Sequence, residues 1–122
     1  IMDVAVPISA YPALIGFVEQ LKRETGVTAY MIGHAGDGNV HVEFPYGSPE
    51  DYQRMMVLND QIVLKALELG GTATGEHGVG LGKARFMERE HGEALNVMRA
   101  LKHSLDPNGI LNPGKLFPED VH

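Results

Sequence analysis

The chain has 122 residues, enough for one compact domain with a small core, and its apolar fraction of 43% is ordinary for a globular protein. Sixteen acidic against ten basic side chains give a formal charge of -6, which removes the broad attraction that nucleic acid or an anionic membrane surface requires. There is no cysteine, so disulfides, thiolate metal sites and cysteine nucleophiles are excluded together, and any metal must be held by His, Asp, Glu or backbone oxygen.

The opening, "IMDVAVPI", has no basic segment ahead of its apolar one and does not read as a signal peptide. It reads as a strand over Asp3 to Ile8 entered from something upstream, with Pro7 at a strand end or edge, so the expectation is a piece of a larger protein. From Ser9 to Thr25, Leu14, Ile15, Val18 and Leu21 share one helical face, and Gly26 is a natural stop. "VTAYMIGH" and "NVHVEF" read as two short strands joined by a tight "AGDG" turn, the second placing Val40, Val42 and Phe44 on one face and His41 and Glu43 on the other.

Ser48 as N-cap, Pro49 at the first helical position and Glu50 and Asp51 in the first turn predict a helix to about Leu69. It should bury Met55, Met56, Ile62, Val63, Ala66 and Leu67. The glycine-rich "GGTATGEHGVGLGK" leads into a charged helical region from Ala84 to Leu105, broken near Gly92, and the chain closes on turn-forming dipeptides. No apolar run nears the roughly 20 residues of a membrane span. Strand, helix, two strands, helix in that order predicts an α+β fold, an antiparallel sheet with helices on one face.

Two stretches carry chemistry. In "HAGDGNVH", His34 and His41 bracket the turn, either as polar hairpin ends or as two ligands brought together across a ladder. In "TGEHGVG", glycines on both sides of Glu76 and His77 allow an irregular backbone on which both side chains converge; a flexible connector is the alternative. Joined, His34, His41 and Glu76 offer two imidazoles and one carboxylate, a donor set suited to zinc, manganese or iron(II) with positions open for substrate. His77 would stand beside the metal, a residue type whose ordinary pKa suits it to take a proton from a hydroxyl.

Neither glycine-rich segment has the spacing of a Walker loop or of GxGxxG ahead of a helix, so nucleotide binding by this chain alone is not expected. Lys83, Arg85 and Lys115 read as solvated charges, and His91, His103 and His122 as surface histidines. Met55, Met56, Met87 and Met98, at helical spacing, read as packing residues.

"HAGDGNVH", "GGTATGEHGVGLGK" and "LKHSLDPNGILNPGKLF", in that order and spacing, resemble the C-terminal portion of FAD-linked oxidases of the vanillyl-alcohol-oxidase superfamily. The likeness is to the D-lactate dehydrogenase (cytochrome) and glycolate oxidase FAD-subunit branch, related to D-2-hydroxyglutarate dehydrogenase. It implies a ferredoxin-like substrate or cap domain over residues 1–122, without the FAD-binding domain. It implies that His34, His41 and Glu76 hold a divalent metal, zinc or manganese, and that His77 is the base for the hydroxyl of a small 2-hydroxy acid whose hydride passes to FAD. Asn39, Asn112, Gly114 and Lys115 are implied to lie towards the flavin. Glu43 stands where the hydroxyglutarate branch has a substrate-binding amide; as a carboxylate it would repel an acid, and it could instead join the metal shell.

The implied partners are the 2-hydroxy acid, a FAD-binding domain or subunit, and an electron acceptor that the sequence does not identify. Two other readings are a non-catalytic module docking on a flavoprotein and a metal hydrolase, since the same donors activate water.

Overall fold

A computed structural model describes residues 2–118, so His122 lies outside the described residues. The chain forms two compact units, Ile1–His77 and Gly78–His122.

The first unit is built on three antiparallel strands, β1 (Met2–Ala5), β2 (Tyr30–Ile32) and β3 (Asn39–Glu43), in the order β1-β3-β2. Its helices are α1 (Tyr11–Thr25) and α2 (Pro49–Glu68). Thr72, just after α2, bridges Ala5 along the free edge of β1. A strand in that place would complete the ferredoxin-like order. The unit is thus the expected α+β fold with its last strand reduced to one bridge.

Period-two alternation divides the sheet into two unlike faces. Met2 and Val4 on β1 pair with Val42 and Val40 on β3, all four are buried, and α1 and α2 supply Leu14, Val18, Leu58, Ile62, Val63 and Ala66 to this core. Each of these valine, leucine, isoleucine and methionine side chains contributes about 1.5–3 kcal/mol by leaving water. Asp3 pairs with His41 on the other face, and Ile32 pairs with His41 from β2. Tyr30 and Ile32 are exposed on that face.

Both helices begin and end where expected to within two residues. Gly26, at φ 67°, caps α1 by donating its N–H to Lys22, and Ser48 Oγ accepts the Asp51 N–H at 3.1 Å to cap α2. Two details of packing differ: Leu58, one turn before Ile62 on the same face, is buried though absent from the predicted set, and Met55, Met56 and Leu67 are only half-buried.

The strand predictions need correction. β1 stops at Ala5, and Ile8–Ala10 forms a 3-10 turn. β2 covers three residues instead of eight, and the AGDG segment after it is not a simple tight reversal. Ala35–Asp37 form a 3-10 turn closed by Gly38 at φ 75°, whereas Gly36 has no positive φ. The Asp37 N–H donates to His34 O, so the loop folds back on itself.

In the second unit, α3 (Met87–His91) and α4 (Ala94–Leu105) are separated at Gly92, as the sequence suggests. Met87, Leu95 and Phe117 make its core, with Val79, Met98 and Leu116 packed against them. Asp106 closes α4: its carboxylate accepts Ile110 N–H at 3.0 Å, Leu111 N–H at 2.9 Å and the Lys102 ammonium.

Candidate metal centre

The uncovered face of the sheet carries the candidate centre. His41 lies mid-strand on β3, flanked by Asp3 and Ile32, with its side chain only 14% exposed. His34 sits ahead of the 3-10 turn and reaches His41 because that turn doubles back; the two rings meet edge to face with centroids 5.8 Å apart. Their proximity therefore comes from the folded-back turn and not from ladder pairing, in which His41 faces Ile32.

Glu76 and His77 follow the Thr72 bridge, and their loop is held down by one side chain. Asp3 Oδ2 accepts both backbone N–H groups, from Glu76 and from His77, each at 2.7 Å. Gly75, at φ 52°, makes this approach possible, because a Cβ there would overlap the Asp3 carboxylate. With the backbone so placed, Glu76 Oε1 lies 3.4 Å from His34 Nε2 and 3.0 Å from His41 Nε2. Zinc bound tetrahedrally at its usual bond lengths separates neighbouring ligand atoms by roughly 3.3–3.5 Å, so the observed spacing fits a single divalent ion. His34 and Glu76 are more than half exposed, so the outward side of the group faces solvent.

His77 stacks on His41, with ring centroids 4.8 Å apart and planes 13° from parallel. Its Nε2 is 4.0 Å from Glu76 Oε1, so it adjoins the donor set. A second group, Asp3, His41 and His77, also brings three potential ligand atoms within 4.8 Å of one another, sharing His41 with the first.

Asp3 is the residue that sequence reasoning missed. An aspartate inside an alternating strand was the available signal, since Asp is depleted in strands; the register that sets it beside His41 is not visible in the sequence.

The other predicted residues are distributed as follows. Asn39 is buried, and its amide donates to Asp3 Oδ1 at 2.6 Å and to Val4 O at 3.0 Å, so its N–H groups serve the chain itself. Glu43 lies one pleat beyond His41, opposite Tyr30, and belongs to neither ligand group. Asn112, Gly114 and Lys115 line a cavity of about 650 Å³ in the second unit, together with Arg99, Lys102 and His103. His91 is half-buried, its Nε2 3.7 Å from Glu90 Oε1. Arg85 lies over the Phe86 ring and donates to Gly82 O.

A buried carboxylate beside one nitrogen of a histidine, a glutamate beside its other nitrogen and a second imidazole make up a candidate metal-binding domain on an α+β scaffold. The sequence of residues 1–116 matches the family model "FAD linked oxidases, C-terminal domain", and the chain belongs to that family. It is 41% identical to "D-lactate dehydrogenase [cytochrome] 1, mitochondrial" of Saccharomyces cerevisiae, over 97% of this chain and 20% of that protein. It is 44% identical to "D-lactate dehydrogenase [cytochrome], mitochondrial" of Arabidopsis thaliana, over 99% of this chain and 22% of the relative. Identity to "Glycolate oxidase subunit GlcD" of Bacillus subtilis is 38%, over 98% of this chain and 26% of the relative. The chain thus spans about a fifth to a quarter of the length of these curated relatives. Among the described residues, no helix is long and apolar enough to cross a membrane.

Proposed function

We propose that this chain is the substrate- and metal-binding portion of a flavin-dependent 2-hydroxy-acid dehydrogenase of the D-lactate or glycolate type. The observation that carries the reading is the convergence of His34 Nε2 and His41 Nε2 on one Glu76 oxygen, on the uncovered face of the sheet. A divalent ion there, zinc or manganese, would supply a Lewis acid for a hydroxyl and carboxylate and make the hydroxyl more acidic. FAD, carried outside this chain, would supply the acceptor for the hydride leaving Cα as the alcohol becomes a ketone.

The chain's own residues do the rest. His77, beside the donor set and half exposed, receives the hydroxyl proton. Its stacking on His41 holds the ring beside the donor set. Asn112, Gly114 and Lys115 present turn backbone and positive charge at the cavity of the second unit, which suits contact with a polar, anionic cofactor. Glu43, beyond the ligands on the same face, disfavours a second carboxylate on the substrate.

The test is a titration of the Mn²⁺-loaded chain with D-lactate, glycolate and propionate, read by water proton relaxation. D-lactate and glycolate should displace manganese-bound water at concentrations where propionate, which lacks the hydroxyl, does not. Equal effects of all three acids would contradict the reading.

One observation favours the second reading, a non-catalytic module docking on a flavoprotein subunit. Val97, Leu101 and Leu105, spaced four apart on α4, are exposed with Ile110 and Leu111. Tight association with a flavoprotein by a chain that binds neither metal nor 2-hydroxy acid would support it.

A further inference from the structure

Two overlapping ligand groups share His41, and a metal cannot use both in the same way. The choice between them turns on Asp3, which is 2% exposed and therefore a charge that must be compensated inside the protein. An ionised carboxylate offers about four lone-pair sites. At Oδ2, two are taken by the N–H groups of Glu76 and His77. At Oδ1, one is taken by Asn39 Nδ2, and His41 Nδ1 lies 3.2 Å away. That fourth approach is of hydrogen-bond length but poorly aligned, and His41 Nδ1 is buried with no better-placed acceptor among the described residues.

We propose that Asp3 is the positioning residue of the centre: it holds His41 as the tautomer with hydrogen on Nδ1, leaving the Nε2 lone pair for the metal, and does not itself ligate. The proposal rests on the reading of His34, His41 and Glu76 as the metal ligands. The physical logic is that of a carboxylate behind a metal-bound histidine, which fixes the ring and raises its basicity. Here the same carboxylate does a second task, because its other oxygen anchors the backbone from which Glu76 projects. One buried charge thereby sets the relative position of two ligands that lie 35 residues apart in sequence. Asn39 supports it by donating to Oδ1, while the Glu76 N–H donates to Oδ2.

The alternative is that Asp3 ligates directly with His41 and His77. Ligation through Oδ2 would require a metal to displace backbone N–H donors held at 2.7 Å, and ligation through Oδ1 would require it to displace the Asn39 amide held at 2.6 Å, leaving a donor without its acceptor in either case.

The experiment has two arms. In the metal-free protein at about pH 8, well above the ordinary histidine pKa near 6.5, ¹⁵N NMR of His41 should show hydrogen on Nδ1. In Asp3→Asn, the side-chain oxygen is retained by the two backbone N–H groups and the amide N–H faces His41 Nδ1, so the ring should switch to hydrogen on Nε2. Zinc affinity, measured by titration with Zn²⁺ alone, should fall about 10- to 100-fold in that variant. His34→Ala should lower zinc affinity far more than His77→Ala does.

Hydrogen on Nε2 in the wild type would overturn the proposal. So would a loss in His77→Ala equal to that in His34→Ala, which is the signature of Asp3 as a ligand. If Asp3→Asn does not fold, the wild-type tautomer and the two histidine variants still decide the matter. A wild type that binds no zinc defeats the metal reading, and the tautomer then tests the role of Asp3 separately.

Discussion

Replacing Gly75 by alanine probes the contact on which the centre depends. The new Cβ would stand 2.5 Å from Asp3 Oδ2 and closer still to its Cγ and Oδ1. The carboxylate cannot simply turn aside, because Asn39, Glu76 and His77 all donate to it. Two costs combine: about 1–2 kcal/mol for a side chain in the left-handed region and about 1–3 kcal/mol for overpacking a filled site. The expected destabilisation is therefore about 2–5 kcal/mol. Gly78→Ala supplies the comparison, since Gly78 has φ 84° and a methyl added there would meet nothing within 4 Å, leaving only the backbone cost. Urea unfolding of the metal-free variants should rank Gly75→Ala well below Gly78→Ala, and zinc titration should show weakened binding in Gly75→Ala alone. Equal unfolding midpoints together with equal zinc affinity would refute the argument that Asp3 clamps the Glu76 loop.

Ser48→Ala removes the cap of α2 and should cost about 1 kcal/mol in urea unfolding, with zinc affinity unchanged, because Ser48 Oγ accepts the Asp51 N–H at the start of α2 and belongs to neither ligand group. Ile62→Ala, at a position 1% exposed, should cost about 2–5 kcal/mol, whereas Ile32→Ser, at 62% exposure, should stay within about 0.5 kcal/mol. The Asp106 carboxyl is held below its ordinary value of 3.8, first by the Lys102 ammonium and then by the Leu111 and Ile110 N–H groups. Its stabilisation is therefore complete above the unfolded-state value and is lost as pH falls through the lower folded-state value. Asp106→Asn should flatten the acid side of a stability profile measured by thermal unfolding between about pH 5 and pH 2.

The helices were legible because their signals are local. Ser48-Pro49 marks the start of α2, Gly26 the end of α1 and Gly92 a break between α3 and α4, and each works through a cap or a φ angle that neighbouring residues determine. The turn between His34 and His41 was harder, since two glycines fit a tight hairpin as well as a 3-10 turn, and only Gly38 adopts positive φ. His34, His41 and Glu76 could be grouped as candidate ligands from residue types and from the glycines flanking Glu76 and His77, and the structure brings those three side chains together. Asp3 was not, because its role depends on a register that pairs residue 3 with residue 41 and on a loop arriving 73 residues later. No local pattern encodes that meeting.

The proposed function stands on the binding of one divalent ion by His34, His41 and Glu76. It is tested most directly by elemental analysis of purified wild type, His34→Ala, His41→Ala and Glu76→Ala after equilibration with equimolar Zn²⁺ and desalting. The wild type should retain one equivalent of zinc and each variant almost none, with all four chains folded by circular dichroism. Equal zinc in all four, or none in the wild type, would contradict it.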